Sequence, residues 1–336
     1  MQILAFIKTT LLHMAPHVAV DGLSEPATQA EQPGFSAPGF CWADYIEHRP
    51  MYPTSFWERV YTYHAQSSNN WGIAHDVGAG AGIASEELAN RFQHVIVSDP
   101  NDGYVDIASR RLRRFGFPPN KFAFLQEGAE ESSVRSQKVD LLTICEAWHW
   151  TDVPRAMDSF ARQVKPGGTL AISFYGMPQF IGNERAQRVW DEIIDIWAHR
   201  LHKVGGILER GVRYMSAGLD AVPLSSKYWE PGAKRITIDT GCKMKPLSMN
   251  LNIAPKGIGG SDMLELVEND RDWLYKKDIV WLKGFFATLL PRVMEEEIQE
   301  LWTEVESAVD GGEFVISWPL EQVLATRRWD GGVARL

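Results

Sequence analysis

The chain has 336 residues, 45% hydrophobic and 23% charged, which is enough to bury a sizeable core in one large or two modest domains. Its formal net charge of -9 argues against nucleic acid as a partner, because phosphate binding needs a basic surface, and no apolar run reaches membrane-spanning length. Cys41, Cys145 and Cys242 have neither metal-ligand spacing nor a disulfide framework, so no metal site is expected and a reducing compartment is.

In chain order, residues 1–20 are apolar but interrupted by Lys8, His13, Pro16 and His17, with no basic region ahead of them. They read as an extension that packs on the surface or on a partner rather than as a signal peptide. Residues 21–37, rich in Pro, Gly, Ser, Glu and Gln, read as a linker. The expected organisation is an extension and linker over 1–38, then a single domain over 39–336 with an insertion at about 180–300. Pro50 and Pro53 divide the aromatic stretch 40–64 into a short segment and a helix opening near Thr54, an N-cap candidate. Tyr45, Arg49 and Tyr52 set one guanidinium among phenols, a combination suited to gripping a carboxylate. An aromatic helix that only caps the sheet is the equal alternative.

Residues 71–100 read as a strand ending at Asp76, a loop with Gly78, Gly80 and Gly82, an amphipathic helix, and a second strand ending at Asp99. Glycine lets the backbone turn at positive φ and lets a ligand approach where a Cβ would block it. An acid at the tip of the second strand can accept ribose hydroxyls, so this stretch predicts a bound nucleoside. The spacing is G-x-G-x-G, not the dinucleotide G-x-G-x-x-G, and no Gly-Lys-Ser/Thr follows. Residues 105–115 form a helix with a basic, solvated face, and 122–126 a third strand. Ala129 and Glu130 lie after its carboxyl end, where an adenine edge would be met. A fourth strand over 139–144 runs into C-E-A-W-H-W-T-D, where Asp152 caps a helix with Pro154 in its first turn. The turn Lys165-Pro166-Gly167-Gly168 precedes a fifth strand. Ala186, Val189, Trp190, Ile193, Ile194, Trp197 and Leu201 then mark a long amphipathic helix whose stripe is core. The chain to about residue 260 reads as loop-rich, with a sixth strand at 236–239. Helices over 279–290 and 295–309 and a closing strand over 313–327, bent at Pro319, complete the chain. This order predicts a doubly wound α/β sheet with a helical cap before it and an insertion after strand five.

Several motifs then fall in one family order: Y-x-x-x-R-P-x-Y-P from Tyr45, D-V-G-x-G-x-G from Asp76, Glu146 with His149, Trp150 and Asp152, Y-W-E from Tyr228, and the basic terminal strand. Together they resemble the fungal trans-aconitate 3-methyltransferase family, within the class I S-adenosylmethionine (SAM) methyltransferases. The resemblance implies a seven-stranded, mostly parallel Rossmann-like sheet, SAM as cofactor, S-adenosylhomocysteine as product, and a cytoplasmic enzyme. It implies cofactor contacts from Tyr45, Arg49, Asp76, Gly78, Ala79, Gly80, Gly82, Asp99, Pro100, Ala129, Glu130 and Glu146. Catalysis would fall to Glu146 and His149, and acceptor binding to Tyr52, Trp148, Trp150, Tyr175, Tyr228 and Trp229. The acceptor is expected to be a small molecule, methylated on a carboxylate or hydroxyl oxygen of an organic acid or secondary metabolite. A carboxylate acceptor needs no base, whereas a hydroxyl or amine does, and His149 has the ordinary pKa range for one. An equal alternative makes His149 a hydrogen-bonded structural residue. Trp148 and Trp150 either stack on a planar or cationic group or wall off water. Two further readings stay open at this level: a SAM-binding protein that does not transfer methyl, and an N-methyltransferase.

Overall fold

The computed structural model describes residues 42–247 and 253–329, all within one structural unit. The expected extension and linker, and Cys41, lie outside the described residues. The chain opens with a short helix α1 (Trp42–His48) and continues with α2 (Thr54–Ser67), β1 (Ile73–Val77), α3 (Ile83–Arg91), β2 (His94–Asp99), α4 (Asp102–Arg113), β3 (Phe122–Gln126), β4 (Val139–Cys145), α5 (Val153–Gln163) and β5 (Val164–Tyr175). The insertion follows: β6 (Gln179–Phe180), α6 (Glu184–Val204), α7 (Gly206–Ala217), β7 (Lys234–Ile238), β8 (Met263–Val267), β9 (Leu274–Lys277), α8 (Ile279–Ala287) and α9 (Gln299–Val309). β10 (Phe314–Ser317) and β11 (Leu320–Thr326) close it.

The main sheet has eight strands in the order β3-β2-β1-β4-β5-β11-β7-β8. All neighbours pair in parallel except β11, which runs antiparallel to both β5 and β7. Side chains on successive residues of a strand point to opposite faces, so each buried strand feeds two cores. Leu142 and Ile144 of β4 and Leu170 and Ile172 of β5 pack with Phe160 of α5 on one face. Leu141 and Ala171 join Val60 of α2, Leu88 of α3 and Leu112 of α4 on the other. β1 has β2 on one side and β4 on the other, which makes its carboxyl end the topological switch point where α/β sheets bind ligands.

Local signals account for most boundaries. The Asp152 side chain accepts the Arg155 N–H at 3.3 Å to cap α5, and Asn183 accepts the Ala186 N–H at 3.0 Å to cap α6. Thr54 is the first residue of α2, with Pro53 in the N-cap position. The apolar stripe of α6 is buried from Ala186 to Leu201 as its spacing predicts. Pro319 does more than bend the final strand: it separates β10, in a small sheet with β6 and β9, from β11 in the main sheet.

Besides the short strands β6 and β9, two elements depart from expectation. The stretch read as loop contains α7, and the main sheet has an eighth strand, β8, at its edge. Leu264 and Leu266 of β8 are exposed, so no half-buried alternation marks that strand. The insertion is pinned to the sheet by Arg235 of β7, only 6% exposed. Its guanidinium donates to the Asp262 carboxylate at 2.6 Å and to the carbonyls of Leu219, Val222 and Gly257 at 2.8, 2.9 and 3.0 Å. Removing one partner of a buried ion pair strands the other. Arg235→Met is therefore expected to lower the unfolding free energy by about 3–5 kcal/mol, read from urea titrations of the full chain.

Candidate functional site

Two adjoining cavities open at the carboxyl ends of β1, β2 and β4. The larger, about 360 Å³, is lined by the loop after β1, the tips of β2 and β4, the segment after β3, and the N-terminal helix α1. Gly78 and Gly80 of the loop have positive φ, 65° and 52°. A Cβ on Gly78 would lie 2.5 Å from the Ala147 Cβ, so the loops after β1 and β4 approach as closely as they do only because Gly78 has no side chain. Behind the loop, Asp76 accepts from the Ser85 hydroxyl at 2.6 Å and the Thr143 hydroxyl at 3.2 Å. Burial still lifts its pKa to about 6. Asp76 thus anchors the loop to α3 and β4 while lining the cavity.

Asp99 stands at the tip of β2. It accepts N–H donors from Gly80 and from the backbone and side chain of Asn101, each at 3.0 Å. An ionised carboxylate has about four acceptor positions, so a place remains for a ligand hydroxyl. Burial raises the Asp99 pKa to about 6, against these N–H bonds, which lower it. The cavity roof is aromatic: Trp42 lies edge-on to Tyr104 at 4.3 Å and to Tyr45 at 5.4 Å. The buried Tyr104 hydroxyl has no hydrogen-bond partner.

Tyr45, Arg49, Glu146, Trp150 and Tyr175 line both cavities and form the junction between them. Glu146 is a non-glycine residue at φ 58°, a conformation that costs about 1–3 kcal/mol and directs its side chain off the end of β4. Its carboxyl accepts the Tyr175 backbone N–H. Burial pushes its pKa well above the usual carboxylate range, while that N–H and the Arg49 charge pull it back. The Arg49 guanidinium lies over the Tyr45 ring at 4.7 Å and the Phe285 ring at 5.0 Å, and its Nε is buried without a partner.

The second cavity, about 90 Å³, is walled by Phe174, Met177, Trp197, Met215, Phe285 and Trp318, with Lys245 at its edge. His149 lines it, 4% exposed, edge-on to Phe174 at 5.2 Å. Burial drives the His149 pKa down to about 3, so the ring is neutral at pH 7, and its Nδ1 has no hydrogen-bond partner.

Residues 75–172 match the family model described as a methyltransferase domain. A Claviceps purpurea protein named methyltransferase is 30% identical over 295 residues, covering 85% of this chain and 91% of that one. Methyltransferase AacuQ of Aspergillus aculeatus is 30% identical over 292 residues, covering 85% and 93%. The chain belongs to this methyltransferase family. Methyltransferase gedG of Aspergillus terreus, 30% identical over 318 residues, covers 90% of this chain and is itself covered to 97%. A solved putative type II methyltransferase from Anaeromyxobacter dehalogenans shares the fold, with a TM-score of 0.53 at 16% identity over 83% of this chain and 97% of that one.

The enzyme is a SAM-dependent methyltransferase with the class I Rossmann-like fold. Its larger cavity fits that cofactor on physical grounds. The volume suits a nucleoside-sized ligand, Asp99 on its wall keeps an acceptor position open, and two of its lining residues, Tyr104 and Arg49, each keep a buried polar atom, the hydroxyl and Nε, with no protein partner.

Of the residues singled out from sequence, Tyr45, Arg49, Tyr52, Asp76, Gly78, Ala79, Gly80, Asp99, Pro100, Ala129, Glu130, Glu146, Trp150 and Tyr175 line the larger cavity, and His149 the smaller. Four do not reach either. Gly82 lies behind the loop as the left-handed N-cap of α3, where a Cβ would press on Leu112 and Ala108. Trp148 is 1% exposed in the core, edge-on to Tyr214. Trp229 is 2% exposed and bridged to Arg327, whose guanidinium lies over Tyr228 at 5.6 Å. Trp229 and Tyr228 pack beside the end of β11 and Trp148 packs against α7, so the expected acceptor contacts from these three fall outside both cavities. Missed were Trp42, one helical turn before Tyr45; Tyr104, one turn after Asp99; and Ile207 and Arg210 of α7. For the first two, the i, i+3 aromatic spacing and the helix start beside the acid were available signals.

Burial raises the Asp99 pKa above its unfolded value, so ionisation of Asp99 opposes folding: the penalty is absent below about pH 4, grows between about pH 4 and 6, and is complete above. The stability of Asp99→Asn relative to ligand-free wild type is expected to fall by up to about 3 kcal/mol from pH 7 to pH 4, as the wild-type carboxyl takes up its proton. Urea titrations at the two pH values check this. The same variant is expected to bind S-adenosylhomocysteine at least about tenfold more weakly by calorimetry, since it exchanges an acceptor for an amide.

Proposed function

We propose that the enzyme methylates a carboxylate or phenolic oxygen of a small organic acid or secondary metabolite with a largely apolar body. The observation that carries this reading is the junction itself: one ring of residues, Tyr45, Arg49, Glu146, Trp150 and Tyr175, borders both cavities. A methyl donor in one cavity and an acceptor in the other meet there, and holding them in line is the main demand of the reaction. SAM, when bound, supplies an electrophilic methyl. The acceptor, a carboxylate ionised at pH 7 or a phenol that enters as its phenolate with the proton already lost to solvent, forms the new C–O bond through its oxygen as the S–C bond breaks, and the electron pair stays on sulfur.

The chain's contributions follow from the site. Tyr45, Arg49 and Glu146 hold the amino-acid end of the cofactor, and Asp99 the ribose. Arg49 also balances an anionic acceptor oxygen beside the junction. Trp197, Phe285 and Trp318 exclude water and hold the apolar body. His149, kept neutral by burial, offers a hydrogen bond to the acceptor and has little drive to take its proton. The apolar lining favours a secondary metabolite over trans-aconitate. Arg49 in the lining is what favours an acidic acceptor of that smaller kind, since Lys245 at the edge is paired with the Asp191 carboxylate at 2.8 Å.

The test is stoichiometric formation of S-adenosylhomocysteine and methyl ester or ether from a panel of aromatic and aliphatic acids and phenols. Product from amines alone would sink the oxygen assignment. His149→Gln is expected to keep kcat within about tenfold of wild type and to leave no pH limb near 6.5 to be lost, as read from a pH–rate profile.

A further inference from the structure

Helix α7 belongs to the insertion, yet it touches the cofactor cavity as well as the acceptor cavity. Ile207 and Arg210, in its first half, line only the larger cavity, and Met215, further along, lines only the smaller. The helix is seated by three contacts on the segment after β4, one of them Tyr214 edge-on to Trp148. Gly211 sits against the Trp150 ring so closely that a Cβ there would lie 2.3 Å from it. The Arg210 Nη2 donates to the Trp150 carbonyl at 3.0 Å. That leaves the Arg210 Nε buried in the structure with no partner.

The larger cavity has a direction. Its sulfonium end must lie at the junction with the acceptor cavity, by Tyr45, Arg49 and Glu146, and its ribose position is marked by Asp99. The adenine is then left the stretch walled by Gly128, Ala129, Glu130 and Thr151, and Arg210 of α7 is joined to that stretch through the carbonyl of Trp150, the residue before Thr151. The Arg210 guanidinium lines the larger cavity alone and is not part of the junction ring. It is well matched to adenine, whose ring nitrogens accept hydrogen bonds and whose π face accepts a cation.

We propose that Ile207 and Arg210 of α7 form the insertion's wall against the adenosine half of SAM, so that the element shaping the acceptor cavity is also a cofactor-binding element. The proposal rests on the larger cavity being the SAM site. It follows that cofactor binding orders α7 and with it the Met215 wall of the acceptor cavity, and that the cofactor binds before the acceptor. The hinges are available: α7 is bounded by Gly205 and Gly206 at φ 79° and 58° and by Gly218 at φ 60°.

Calorimetry on the full chain with S-adenosylhomocysteine and with adenosine tests it, using wild type, Arg210→Met and, as the control for the site, Asp99→Ala. Arg210→Met is expected to raise Kd for both ligands by the same factor, about tenfold, and to raise KM for SAM with kcat at saturation retained. A purely structural role through the Trp150 carbonyl would instead lower kcat, since Trp150 borders the junction. If Asp99→Ala abolishes binding while Arg210→Met stays within twofold of wild type, the wall is wrong and the SAM site stands. If wild type binds neither ligand, both are wrong. Hydrogen exchange on wild type needs no variant to fold: amides of 206–217 are expected to slow when S-adenosylhomocysteine is added, and unchanged exchange there overturns the proposal.

Discussion

The site depends on how closely the chain after β1 passes the chain after β4. Gly78 has no Cβ, and Ala147 occupies the place one would take. That single approach lets a glycine loop and the Glu146–Trp150 segment face one ligand across the switch point of the sheet. Everything else at the site is arranged about it. Asp76 ties the loop to α3 and β4 from behind, and Asp99 ties it to β2 through the Gly80 N–H. Glu146 pays with a left-handed backbone for a side chain that leaves the strand end toward the junction.

A second layer of dependence runs through charge. Asp76, Asp99 and Glu146 are all held above their ordinary pKa by burial, with hydrogen bonds opposing the shift in each case. Arg49 is the cation at the junction, flanked by Tyr45 and Phe285. A cationic cofactor entering this ring would favour the ionised form of Glu146, and an anionic acceptor would face Arg49. His149 stands apart, since its environment is aromatic and it is kept neutral.

The glycine loop, the strand order through β5 and the α6 stripe were legible because each is a local pattern: a spacing of glycines, an apolar run ended by an acid, a repeat at three and four. The resemblance to a methyltransferase family found the Tyr45–Pro53 and Glu146–Asp152 segments, which the structure brings together at the junction. Two kinds of information were not local. Helix α7 begins at two glycines and contains a third, Gly211, so its propensity is low, and contacts with Trp150 and α6 decide it. Strand β8 lies at the edge with exposed leucines and has no burial alternation to read. Aromatic side chains misled for a related reason. Trp148 and Trp150 are two residues apart in one motif, yet Trp148 is core and Trp150 borders both cavities, a distinction set by the turn between them.

The proposed meeting place of donor and acceptor is the ring formed by Tyr45, Arg49, Glu146, Trp150 and Tyr175. A crystal structure of the full chain with S-adenosylhomocysteine tests it most directly. The ribose is expected on Asp99 and the sulfur at that ring, open toward the cavity lined by His149 and Phe285. A sulfur turned away from that cavity, or a ribose that leaves Asp99 untouched, would contradict it.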